Sequence, residues 1–232
     1  MGPSLAGSPR VNGNPGSSIS TVIYGMEGAL DGKTYAAGIM APMGANDDKW
    51  IANVISYVRT SFGNIGRPVT AEMVAAVRKA DKRDGHWTQE SIEKRYAKPL
   101  TDRAAWKITA KHNQGDVGEM VDGDLNTRYD TNTPRKNGMW IAIELPGTHR
   151  IDGLNLNTVG SPQDFAEELS IETSTDGATW KKVALNKPGI GAITEIIFPT
   201  PVEATHVRII NRSNSGNKYW SVHDLNILAT KL

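Results

Sequence analysis

Leu169-Ser170-Ile171-Glu172-Thr173, followed by Ser174-Thr175-Asp176-Gly177-Ala178-Thr179 and then Trp180-Lys181-Lys182-Val183, reads as one β-hairpin. Apolar Leu169 and Ile171 alternate with polar neighbours at the two-residue period of a strand. Asp-Gly between two such runs is a strong turn signal, because glycine adopts positive φ without steric cost. Outward from this hairpin, Trp140-Ile141-Ala142-Ile143-Glu144-Leu145 alternates before Pro146-Gly147, and Gly153-Leu154-Asn155-Leu156 alternates after it. Ile196 and Phe198, then Val207 and Ile209, supply the inward faces of two further strands, and residues 222–228 close the series. The texture begins at Trp106. Short alternating runs divided by turn residues are the pattern of an all-β sandwich or barrel.

These runs occur in order with four further motifs: Val121-Asp122-Gly123-Asp124-Leu125-Asn126-Thr127-Arg128-Tyr129, Ser174 through Trp180, His206-Val207-Arg208-Ile209, and Val222-His223-Asp224-Leu225. Together they resemble the discoidin, or coagulation-factor C-terminal, family within the galactose-binding-like jelly rolls. The resemblance covers residues 104–232 and implies a jelly-roll β-sandwich. The fold class is then mainly β with an α-helical N-terminal part.

Asp122-Gly123-Asp124 has a physical reading of its own. Carboxylates two residues apart around a glycine can converge with backbone carbonyls on calcium, and Thr127 adds further oxygens. The plain alternative is an Asp-Gly turn with solvated carboxylates. The resemblance implies a calcium held by the Glu119 backbone, Asp122, Asp124, Thr127 and Asp224, with the His223 carbonyl nearby; Asp224 stands where the family commonly has glutamate. Such an ion is structural, tying a loop to the last strand rather than activating water. The ligand surface is expected on the loops. Sugars need an aromatic face for the apolar side of the ring and planar polar groups for the hydroxyls. Tyr129, Arg135, Lys136, Asn137, Asn217, Tyr219 and Trp220 offer those groups, although Tyr129 and Trp220 serve equally well as core aromatics.

The N-terminal part reads differently. Residues 1–19 are rich in glycine, serine, proline and asparagine and are expected as loop, with a short helix or turn over 17–26. Ile51, Val54, Ile55, Val58 and Phe62 recur at helical spacing, with Asn46 or Asp47 as cap and Gly63-Asn64 as terminator. A second helix is expected over 69–80, capped by Thr70 with Met73, Val77 and Ala80 on one face. A third starts after Thr88, with Ile92 turned inward, and Pro99 ends the helical region.

Residues 5–13, the segment Gly38-Ile39-Met40-Ala41-Pro42-Met43-Gly44 and residues 51–59 resemble the C-terminal half of a class I cytochrome c domain, of the type fused to exported dehydrogenases. The resemblance implies an axial haem methionine, Met40 or its rival Met43. It departs from the family in lacking the half that carries Cys-x-x-Cys-His. The expected organisation is a partial cytochrome c-like segment at 1–64, a helical connector at 65–103 and the sandwich at 104–232. Haem c then requires the missing half from elsewhere, and a protein partner is expected for the N-terminal helical segment.

Composition narrows the function. The formal charge is +1 with no long basic run, so nucleic acid is a poor partner. Cysteine is absent, which excludes disulfides, zinc-thiolate sites and covalent haem attachment within this chain. No stretch approaches a membrane span, the start lacks a signal-peptide pattern, and the sandwich loops read as polar, which disfavours a membrane partner. The acidic residues lie in turns and give no reason to pair two of them across a cleft. The expectation is therefore a non-catalytic carbohydrate-binding module with a structural calcium, anchoring an exported, extracytoplasmic assembly to a glycan. It is expected not to be an enzyme itself, at most an accessory part of a larger exported oxidoreductase. The alternative is one piece of a c-type cytochrome that transfers electrons.

Overall fold

The computed structural model describes residues 2–35 and 38–231. Met1 and Leu232, the outer limits of the expected segments, lie outside the described residues. The chain divides into two compact units, Met1–Pro99 and Leu100–Leu232.

The first unit contains α1 (Pro15–Tyr24), β1 (Met26–Glu27), β2 (Ile39–Met40), α2 (Asp48–Thr60), α3 (Ala71–Ala80), α4 (Gln89–Arg95) and β3 (Lys98–Pro99). Each helix starts on a side chain that accepts an otherwise orphaned N–H. Asp47 accepts from Trp50, Thr70 from Met73, and Thr88 exchanges reciprocal bonds with Ser91 in a capping box. The core joins Ile19 and Ile23 of α1, Ile51, Ala52 and Ile55 of α2, Val69, and Val74 of α3. A smaller cluster holds Met26, Trp87, Ile92 and Tyr96.

Residues 65–99, expected as a connector, thus share one core with the preceding helices. Met73 and Val77 of α3 pack against this core as expected, Val74 is the fully buried residue of the helix, and Ala80 is exposed. The stripe expected on α2 is split, because Ile51 and Ile55 are buried whereas Val54 and Phe62 are exposed beside Trp50 and Tyr57. Arg59 is fully buried, donating to the carbonyls of Val11 (2.5 Å), Gly13 (3.0 Å) and Arg67 (3.0 Å). A Cβ at Gly66 would lie 2.7 Å from the guanidinium carbon, so only glycine lets the chain pass there.

The second unit contains β4 (Lys107–Ala110), β5 (Tyr129–Asp130), β6 (Trp140–Asn157), β7 (Glu168–Ser174), β8 (Lys181–Pro188), β9 (Ile193–Asn211), β10 (Ser221–Val222) and β11 (Asp224–Lys231). It is a jelly-roll sandwich built around two long antiparallel strands. Residues 140–144 of β6 pair with 206–210 of β9, and residues 149–157 pair with 193–204. β4 flanks the first half of β6, β7 flanks the end of β9 with β8 outside it, and β11 flanks the second half of β6.

Four separate strands were expected where β6 and β9 run through. The ladder lapses between Glu144 and His149, around Pro146, and again between Ile151 and Gly153, opposite Pro199 and Pro201. Prolines lack the N–H that a ladder needs and are tolerated at such interruptions, where an irregularity bends the strand without ending it. A Cβ at Gly153 would meet the Ile196 carbonyl at 2.2 Å, so that close crossing requires glycine. The hairpin from β7 to β8 forms as expected, with Gly177 at φ 72°. The expected closing strand is broken at His223: Val222 pairs with Tyr129 in β5, while Asp224 pairs with Asn157 in β6. Trp106, Tyr129, Ile141, Ile143, Trp220 and Leu225 are among the buried core. Among the described residues no helix is long and apolar enough to cross a membrane.

Candidate functional site

Three loops of the second unit, 131–139, 158–167 and 212–220, are laced together by backbone and side-chain hydrogen bonds. Arg135 N–H donates to the Lys218 carbonyl (2.9 Å), and Ser215 N–H donates to the Arg135 carbonyl (3.0 Å). Asn137 N–H donates to Asn214 Oδ1 (3.0 Å), and Asn211 Nδ2 donates to the Lys136 carbonyl (2.9 Å). Asp164 fastens the third loop by accepting from Tyr219 N–H (3.2 Å) and, through its carbonyl, from Ser221 N–H (2.7 Å). Lys218 Nζ reaches Gln163 Oε1 at 2.9 Å.

Arg135 sits beneath this surface, 1 % exposed. Its guanidinium pairs with the Glu167 carboxylate, donates to the carbonyls of Gln163 and Tyr219 (both 3.4 Å), and lies 5.8 Å from the Phe165 ring centre. A planar cation with several donors suits this bracing role. Arg135 therefore cannot touch a ligand as expected; it holds the loops that can.

Tyr129 and Trp220 are likewise corrected to core residues, each 1 % exposed. Tyr129 pairs with Val222 in the two-residue β5–β10 ladder and Trp220 directly precedes it, and the Tyr129 hydroxyl donates to the His112 carbonyl at 2.9 Å. Burial pushes the Tyr129 phenol well above its ordinary pKa. Asn137, Asn217 and Tyr219 remain at the surface with Lys136, Asn214 and Gln163. Tyr219, 37 % exposed, is an aromatic ring at the surface of these loops. Sequence reasoning passed over Gln163, Phe165 and Glu167, whose segment carries no strand alternation to mark it. Val159 is exposed on the second of these loops and Leu125 on the 121–128 loop, which makes both less polar than their sequence suggests.

The loop at 121–128 closes on itself. Asp122 accepts from Asp124 N–H (2.8 Å) and from the Thr127 hydroxyl (2.8 Å), while Asp124 accepts from the backbone and side chain of Asn126 (2.9 and 2.8 Å). These bonds from Asn126 hold the Asp124 carboxyl below its ordinary pKa. Glu119 accepts from Arg128 N–H at 3.1 Å. The His223 ring bridges the Leu125 carbonyl (2.9 Å) and Ser161 Oγ (3.0 Å). Asp224 is held by Arg103 Nη1 at 2.5 Å and by Asn226 Nδ2 at 2.5 Å.

Of the side chains expected for calcium, Asp122, Asp124 and Thr127 are bonded within the loop, and Asp224 is bonded to Arg103 and Asn226. Among the described residues no three acidic, histidine or cysteine side chains are gathered where they could hold a metal ion. In this arrangement the side chains do not fit a calcium ion. Haem does not fit the first unit either. The chain has no cysteine, Met40 and Met43 are each 42 % exposed, and Met40 lies on β2 paired with Met26.

The F5/8 type C domain model matches residues 104–225, more than half of the chain. No curated protein matches. Similar solved structures include CpGH89CBM32-5 from Clostridium perfringens in complex with GalNAc-beta-1,3-galactose, at 25% identity and TM-score 0.48, covering 55% of this chain and 97% of that one. A family 32 CBM from C. perfringens NanJ, in complex with galactose, aligns at 17% identity and TM-score 0.47, covering 54% and 94%. CBM32-3 of a family 31 glycoside hydrolase from Clostridium perfringens aligns at 21% identity and TM-score 0.49, covering 56% and 94%. The family match falls on the second unit and lends no support to the cytochrome c resemblance of the first.

Proposed function

The chain belongs to the F5/8 type C domain family, and on that premise we propose that its second unit is a non-catalytic carbohydrate-binding module. The observation that carries the reading is the exposed Tyr219 ring on the same hydrogen-bonded loops that expose Asn137, Asn214 and Asn217 and that Arg135 and Glu167 brace. An aromatic face accepts the apolar side of a pyranose, and side-chain amides both donate to and accept from its hydroxyls. Bracing lowers the ordering cost on binding, so a shallow surface can still select a ligand. The module holds its assembly against a glycan outside the cytoplasm. Calcium forms no part of this proposal, because Asp224 is already engaged by Arg103. Electron transfer is not advanced, because Met40 and Met43 are not arranged to hold a haem.

The test is retention of the full chain on immobilised polysaccharides and a glycan array, with Tyr219→Ala and Asn217→Ala alongside. Retention on one sugar class, lost in both variants, is expected. A folded wild-type chain retained on no glycan overturns the reading, as does retention that both variants keep.

A further inference from the structure

We propose that the outer face of α2 is a self-association surface, on which two copies of this chain pack their α2 helices antiparallel about a two-fold axis. Trp50, Val54 and Tyr57 stand at i, i+4 and i+7, so they form one ridge on the side of the helix away from the buried Ile51 and Ile55. Phe62, just past the helix, lays its ring edge-on to Tyr57, with ring centres 5.5 Å apart. All four side chains are exposed, at 43% for Trp50, 37% for Val54, 63% for Tyr57 and 53% for Phe62. Phe62 also holds φ 59°, a left-handed backbone that a bulky residue rarely adopts. That strain sets an aromatic ring in water, which serves a contact rather than the core.

Charge and area favour a second copy as the occupant. A helix facing water normally carries charged side chains on that face. Between Lys49 and Arg67, however, the sole charged residue is Arg59, which is fully buried. The outer face is thus apolar and uncharged, the make-up of an interface core, and it meets its own copy without repulsion. An aromatic side chain presents about 150–250 Å², so the four exposed fractions amount to roughly 350 Å² of apolar surface. With the polar rim of an interface that is about 65% apolar, this becomes about 500 Å² per copy, near the roughly 1,000 Å² in total that a specific interface needs. Antiparallel packing opposes the helix dipoles and sets the acidic start of each α2, at Asp47 and Asp48, beside an end with no acidic residue before Glu72. It also brings Trp50 toward the partner's Phe62. A lipid surface fits less well, because helices that lie on membranes line their polar side with Lys and Arg, and α2 carries only Lys49 and the buried Arg59.

The experiment is sedimentation equilibrium of the full chain from micromolar to millimolar concentration, with circular dichroism and thermal melting alongside. A dimer is expected for the wild type. Tyr57→Glu places like charges near the two-fold axis and should raise the dissociation constant about tenfold or more, with the fold unchanged because the side chain is exposed. Tyr57→Lys should do the same, and an equimolar mixture of the two variants should dimerise again as opposite charges meet. Phe62→Asn suits the left-handed backbone and should weaken the dimer without lowering the Tm of the dilute chain. A wild type that stays monomeric at millimolar concentration overturns the proposal, and vesicles of anionic lipid then show whether a membrane is the occupant instead. A dimer that both charged variants retain overturns it too, as does a dimer lost in each variant and not recovered in their mixture.

Discussion

Arg135 and Glu167 form an ion pair in which the cation is 1% exposed and the carboxylate 56% exposed. The pair is therefore unequal. Replacing Glu167 by Gln removes a charge that water already screens and should cost about 1 kcal/mol or less. Arg135→Ala loses the pair, both carbonyl contacts and the packing of the side chain, and should cost about 3 kcal/mol. Urea unfolding of the two variants checks this. Equal losses would show that Arg135 does not brace the loops.

Tyr219→Ala should leave the Tm within a degree or two of the wild type, because the ring projects from a loop. It should weaken glycan binding by about tenfold or more, near 1.4 kcal/mol, as expected for an aromatic anchor. Affinity measured by calorimetry on the retained sugar reads this, and a large Tm loss would mean that the ring is structural instead.

Trp220→Ala should do the opposite of Tyr219→Ala, although the two residues are adjacent. Its ring is 1% exposed within the sandwich core, and its N–H and carbonyl pair with Thr131. Truncation should cost about 3–5 kcal/mol by opening a cavity. Denaturant midpoints check the value, and a change under 1 kcal/mol would place the ring outside the core.

Asp176 sets an acid limit for the β7–β8 hairpin. Its carboxylate accepts from the amides of Thr179 (2.7 Å) and Ala178 (2.8 Å) and from the Ser174 hydroxyl (2.8 Å), which together hold its pKa well below the ordinary 3.8. A depressed folded-state value means that the stabilisation is complete above the unfolded value of 3.8 and is lost as pH falls toward the folded one. The Tm gap between wild type and Asp176→Ala should thus be widest near neutrality and should shrink at strongly acidic pH. A gap independent of pH would show that the carboxylate charge is not involved.

How far the sequence could be read depended on whether a residue's role was local. Asp47, Thr70 and Thr88 act on amides two or three residues away, and the Asp176-Gly177 turn is closed by its own neighbours, so each is visible in a short window. Pro146-Gly147 looks like a chain reversal in the same kind of window. The strand nevertheless resumes, because β9 and β11 continue beside it. Tyr129, Arg135 and Trp220 have the right chemistry for a ligand surface, but their burial is decided by pairing with distant segments. Arg103 was passed over for the same reason, since its carboxylate partner lies 121 residues along the chain.

β6 and β9 pair along both halves of their length, with β4 and β7 beside one half and β11 beside the other, and at Gly153 the Ile196 carbonyl leaves no room for a side chain. Both halves of the ladder run through the same two strands, so one half should not melt while the other persists. The unit should denature in a single all-or-none step, with no half-open state to offer a protease a stable foothold. A module tethered to an insoluble surface would then resist attack and shear as one piece until it gives way altogether.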